Sequence, residues 1–169
     1  TRALMHGGTL LIPAFSIERT QELLYELNQL IEHEKGMPRV PIFLDSPLAI
    51  SAMEVYRRHP EYYDTEAKHL RDAGDDFFKF PGLTVTRSRD ESKEINEVRG
   101  PKIIIAGSGM MNGGRIVHHA LRYLSDPKST VLIIGYCAEG TLGRRLYEGA
   151  EQVTVMRQRV RVRATIRAL

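Results

Sequence analysis

The residues best suited to chemistry lie in one short segment, Gly107-Ser108-Gly109-Met110-Met111-Asn112-Gly113-Gly114-Arg115, which follows the apolar run Lys102–Ala106. Four glycines stand there between a strand signal and a helix signal. Glycine lets backbone approach a ligand closely, and N–H groups at a helix start favour anions. Arg115, in the first helical turn, is placed to add a bidentate phosphate contact. A tight turn that needs glycine only for its backbone angles would have the same composition, and from the residues alone the two readings are level. The spacing departs from the dinucleotide fingerprint, because Asn112 stands where the third glycine belongs and Gly135-Tyr136 where an acid should follow. Ala106 in place of glycine removes the nucleophile-elbow pattern around Ser108, and no Walker sequence is present.

Two further segments repeat the strand-to-helix plan. Gly135–Arg145 follows an apolar run and places Gly140 before Thr141, a helix-capping residue; a plain strand–helix connection is the simpler reading of it. Pro13–Gln21 places Arg19 in the first turn of a helix, where a cation opposes the dipole unless an anion or carboxylate meets it. Pairing with Glu22 or Glu26 is the simpler account of Arg19.

The remaining reactive side chains point away from catalysis. His118 and His119 are adjacent, so on a helix they diverge by roughly 100° and cannot share an ion. His6, His33, His59 and His69 lack ligand spacing. Asp72, Asp75 and Asp76 read as solvated, and the lone Cys137 as a small buried filler. Arg157, Arg159, Arg161, Arg163 and Arg167 alternate along the C-terminal run, as either a nucleic-acid path or an edge strand protected by charge.

Alternating strand and helix signals position these segments. Strands are expected at residues 8–13, 40–44, 83–86, 102–106, 130–134 and 152–156, and from 159 on by strict alternation of Val160, Val162, Ala164, Ile166 and Ala168. A helix capped by Ser16 buries Leu23, Leu27, Leu30 and Ile31 and stops at Gly36-Pro38. Ser46 and Pro47 open another, with Leu48, Ala52, Val55 and Tyr56 as its apolar face. Short helices follow at 65–73, at 88–96 with a Ser88/Glu91 capping box, from Ile116 to Leu124, and at 141–147. The sum is a three-layer, Rossmann-like α/β domain with a largely parallel sheet, helices on both faces and an antiparallel edge hairpin at the C-terminus.

The bulk properties agree with one such domain. The chain has 169 residues, 42% apolar and 27% charged, and no apolar run near the ~20 residues of a membrane span. One cysteine and no leader-like pattern suit a reducing cytoplasm. The net charge is +3, but without the five C-terminal arginines the rest sums to −2, so any basic surface is local. Both ends read as cut from a longer protein.

Four ordered segments, GGTLLIPAFSIERTQELLYEL, PIFLDSPLA, FKFPGLTVTRSRDESKEINEVRGPKIIIAGSGMMNGGRIVHHALRYL and STVLIIGYCAEGTLGRRLYEGA, resemble the β-CASP domain inserted in metallo-β-lactamase-fold nucleases of the cleavage-and-polyadenylation type and their bacterial relatives. The resemblance implies RNA processing by two zinc ions held by a metallo-β-lactamase body, whose His-x-His-x-Asp-His and Ser-Ala-His motifs this chain lacks. It implies no catalytic residue, metal ligand or cofactor within this chain. Its partners would be single-stranded RNA and the metallo-β-lactamase domain of the same polypeptide. Carried over, Arg19, Ser108, Gly109, Met110, Gly113, Gly114, Arg115, Gly140 and Thr141 line the cleft as substrate contacts, and the chain alone binds RNA weakly and is inactive. A stand-alone nucleotide- or phosphosugar-binding module is the alternative.

Overall fold

The computed structural model describes residues 2–33 and 38–169. The chain runs α1 (Arg2–Met5), β1 (Thr9–Pro13), α2 (Arg19–His33), β2 (Ile42–Asp45), α3 (Pro47–Arg58), a 3-10 turn, then α4 (Thr65–Asp72) and β3 (Leu83–Val85). It continues through α5 (Arg89–Glu94), β4 (Lys102–Ala106), α6 (Ile116–Tyr123), β5 (Thr130–Ile133), α7 (Leu142–Tyr147), β6 (Gln152–Val155), β7 (Gln158–Arg161) and β8 (Thr165–Ala168).

Six strands form one sheet in the order β3-β2-β4-β1-β5-β8, every pairing parallel. Parallel neighbours need long crossovers, and the intervening helices supply them on both faces. The strand residues alternate between two cores, as a pleated sheet covered on both sides requires. Leu11, Phe43, Ile104, Val131 and Ile133 pack with Ile95 of the α5 end, Ile116 and Ala120 of α6, and Leu146 of α7. Ile12, Ile42, Leu44, Ile103 and Ile105 pack with Leu24 and Leu27 of α2, Ile50 and Met53 of α3, and the aromatic segment Phe77, Phe78 and Phe80.

The alternating C-terminal run is not one strand. β7 pairs antiparallel with β6 in a two-stranded sheet of its own, whose buried Val153, Val155 and Val160 join the α6–α7 core. The chain then bends through Val162–Ala164, and β8 docks parallel to β5 as the edge of the main sheet. Alternation reports two-sidedness, not continuity, so a bend that preserves the in–out pattern leaves no trace in it.

Local chemistry explains most boundaries. The Ser46 side chain accepts from the Ala49 N–H with Pro47 at the first helical position, and the Ser88/Glu91 capping box is formed. In α3 the buried residues are Ala49, Ile50 and Met53; of the expected face, Tyr56 packs against the core and Ala52 is half-buried, but Leu48 and Val55 are exposed. Ser16 does not cap α2, which begins at Arg19, and its hydroxyl lies 3.2 Å from that of Ser46. Gly36, the expected stop of α2, lies outside the described residues.

Candidate functional site

Parallel strands deliver their following loops to one edge. Pro13, Ala106 and Asp45 stand side by side in the register of β1, β4 and β2, so the segments after β1, β4 and β5 leave the sheet together. Contacts between them interlock these three loops. The Gly143 N–H donates to Met110 O at 3.0 Å, and the Leu142 N–H to the Asn112 side-chain oxygen at 3.3 Å. The Phe15 ring covers Gly109, where a Cβ would come within 2.7 Å of it. Within the glycine loop, the Ser108 N–H and hydroxyl both donate to Gly113 O, at 3.2 and 3.3 Å. Gly114 has φ +72, and its Cβ position is blocked by the Gly107 carbonyl. Glycine is therefore required at 114 by backbone sterics, at 109 a side chain would displace the Phe15 ring, and Gly113 faces open space.

Behind the loop lies a buried polar cluster. Asp45, at the end of β2, is 0% exposed. One carboxylate oxygen accepts from Thr86 Oγ1 at 2.6 Å and from the Arg115 guanidinium; the other accepts from Ser92 Oγ at 2.6 Å and faces His119 Nε2 at 2.7 Å. The same guanidinium donates to the backbone carbonyls of Thr86 at 2.9 Å and Arg87 at 2.7 Å. Burial alone would push the Asp45 carboxyl up, but hydrogen bonds from His119, Ser92, Thr86 and Arg115 outweigh it and hold it at about 2. Asp45 is thus an anion whose acceptor sites are filled, fastening α6 and the glycine loop to the strands.

This sorts the residues singled out from the sequence. Arg115 is directed inward to Asp45, with its side chain 17% exposed. The Thr141 hydroxyl is used internally, donating to Ala138 O at 2.7 Å and accepting from the Arg144 N–H at 3.2 Å. Gly109 is buried; Ser108 and Met110 are half-buried; Gly140 is exposed at φ +79. Arg19 stays at the surface, paired with Glu22 at 2.8 Å. It borders a cleft of about 650 Å³ at the carboxyl ends of β5 and β8, walled also by Tyr136, Cys137, Arg144 and Tyr147. Tyr136 and Tyr147 expose their rings there. Cys137 is buried, and burial pushes its thiol pKa up, the opposite of an activated nucleophile.

Asp45 and His119 were missed as a pair. The legible signal was the i, i+4 spacing of Arg115 and His119, which puts two polar side chains on one face of a helix. Asp75 and Asp76 were expected to be solvated, and the fold uses both. Asp75 accepts from buried Asn28 at 2.8 Å, and Asp76 accepts from the Phe78 N–H at 3.1 Å and pairs with Arg57, pinning the aromatic segment. Among the described residues, no three His, Cys, Asp or Glu side chains converge to hold a metal ion. The buried carboxylate–imidazole pair Asp45–His119 is saturated by Arg115, Thr86 and Ser92, so these residues do not fit a zinc ion.

Comparison with known proteins adds to this geometry. The Beta-Casp domain profile matches residues 20–146. Ribonuclease TTHA0252 of Thermus thermophilus is 38% identical over 99% of the chain, and the RNase J-like protein of Methanocaldococcus jannaschii 33% over 98%. Transcription termination factor FttA of Methanosarcina mazei is 34% identical over 87% of the chain. The chain spans only 38%, 37% and 23% of the lengths of these three relatives, respectively.

Proposed function

The chain belongs to the Beta-Casp domain family, and from that premise we propose that it is the substrate-holding part of an RNA-processing nuclease. The observation that carries this reading is the interlocking of three strand-to-helix loops at one sheet edge, the place where open α/β sheets bind ligands. Arg19 supplies charge to that edge, and Tyr136 and Tyr147 supply aromatic faces on which unpaired bases stack. Met110, Gly113 and Gly140 belong to the loops beside the cleft and not to its wall, while Arg115 and Thr141 hold those loops. The Thermus relative is named a ribonuclease, and the likeness of sequence supports carrying action on RNA over to this chain's parent enzyme.

The family resemblance also implies two zinc ions. None of the described residues converge to hold one; on this reading the ligands would come from the metallo-β-lactamase domain that the resemblance implies. A reducing cytoplasm suits its single buried thiol.

Binding of a fluorescent uridine homopolymer to the chain, followed by anisotropy, tests the reading. Tyr136→Ala should weaken binding about tenfold through lost stacking, and Arg19→Ala should weaken it in a salt-dependent way. No RNA binding, or binding untouched by either change, overturns the assignment. Saturable binding of a mononucleotide in its place would favour the stand-alone nucleotide-binding module. RNA cleavage by the purified chain with added zinc would overturn its inactivity.

A further inference from the structure

Four arginines of the C-terminal segment stand outside the site just described. Arg157, Arg159, Arg161 and Arg163 recur at every second residue, while the intervening Val160 and Ala164 are buried and Val162 is partly so. The arginines are all exposed. Arg157 sits in the hairpin turn and Arg163 in the bend after β7, while alternation turns Arg159 and Arg161, on β7, to the solvent side of the ribbon about 6.5–7 Å apart. The register sets neutral residues opposite them, Thr154 across from Arg159 and Gln152 across from Arg161. Among the described residues none of the four makes an ion pair; Arg19, Arg57, Arg71, Arg87, Arg115 and Arg144 each hold a carboxylate, while other arginines, such as Arg58 and Arg145, are also without one. The hairpin tip adds to this exposure. Its two turn residues, Met156 and Arg157, take φ +49 and +65, left-handed angles normally left to glycine or asparagine.

Edge protection accounts for only part of this pattern. The six-stranded sheet ends at β3 and β8, and β8 carries Arg167 alone of the five; β7 is an edge of its own two-stranded ribbon, which covers Arg159 and Arg161 but not Arg157 or Arg163, in the turn and the bend outside the strand. Protection of an edge is served by charge of either sign, whereas a run of one sign without carboxylate partners makes a local electropositive surface that an outside anion can meet. The hairpin base is tied to the opposite end of the sheet from the three loops: the Arg163 and Ala164 N–H groups donate to Leu124 O at 2.8 and 3.0 Å, just past the end of α6.

We propose that the Arg157–Arg163 ladder is a second nucleic-acid contact, binding the phosphodiester backbone of single-stranded RNA outside the three-loop edge. The inference rests on the reading of this chain as an RNA-binding domain. Guanidinium groups at every second residue suit a polymer with one charge per residue, and the absence of aromatic side chains on this ladder makes the contact electrostatic and independent of base sequence.

The test uses the whole chain, the uridine homopolymer and a salt series. Replacing all four arginines with glutamine should make the slope of log affinity against log salt shallower by about 2–3, since each lost phosphate contact on a single strand removes roughly 0.7. Replacing all four with lysine should keep the parent slope. An unchanged slope in the glutamine variant, with its thermal melt intact, overturns the proposal. The two sites separate cleanly: loss of binding in Tyr136→Ala and Arg19→Ala but not in the glutamine variant leaves the three-loop reading and removes the ladder, and the reverse result does the opposite. Arginine-dependent binding of polyglutamate without any effect on RNA would also overturn it.

Discussion

Asp45 has no exposure to water and yet keeps its charge. Four hydrogen-bond partners offset the loss of hydration, and removing the negative charge leaves the Arg115 guanidinium without its counter-ion. Asp45→Asn should therefore cost about 3–5 kcal/mol, the usual penalty for breaking a buried pair from one side, read from the urea midpoint of the chain. The same carboxylate makes stability depend on pH. Its folded pKa of about 2 lies below the ordinary 3.8, so the ionised form favours the folded state. That contribution is complete above about pH 4 and is lost as pH falls through 3.8 towards 2, for about 2 kcal/mol in all. Denaturation curves across this window should flatten in Asp45→Asn relative to the parent; an equally steep fall would assign the acid sensitivity to other carboxylates.

At the scale of elements, α3 illustrates the gap between a helix and its orientation. Ser46 and Pro47 mark its start in sequence and in space. The face it buries is Ala49, Ile50 and Met53, chosen by contact with β2 and the Phe77–Phe80 segment. Leu48 points outward, so Leu48→Glu should change stability by no more than about 0.5 kcal/mol, while Ile50→Ala should cost about 2–5 kcal/mol; thermal melts of the two variants compare them directly. The β6–β7 hairpin makes the same point for strands. Two-residue alternation ran unbroken from Arg159 to Ala168, but the residues divide between an antiparallel ribbon and a parallel edge strand.

For the molecule as a whole, the sheet is a partition between two cores that share only its backbone. Leu24 of α2 and Leu146 of α7 are both fully buried, in different clusters. Each change to alanine should cost about 2–5 kcal/mol, and the double variant should equal the sum within about 0.5 kcal/mol, because sites without shared partners act independently. A clear departure from additivity in urea denaturation would mean that the two cores communicate through β4 and β1. The charge distribution works at this scale too: a near-neutral body carries one basic ribbon, and the three-loop edge faces away from that ribbon's base.

The sequence by itself determined the order of elements up to β6, the parallel α/β class and the three loops, because hydrophobic period, caps and glycine placement act within a few residues. It also marked Arg19 and the arginine ladder as surface charges. Only the tertiary structure decided that β4 inserts between β2 and β1, that Arg115 turns inward, and that Asp45 meets a guanidinium 70 positions further along the chain and an imidazole 74 further along. Those outcomes depend on which crossovers pack against which strands, and a buried residue's type records that it is covered without recording what covers it.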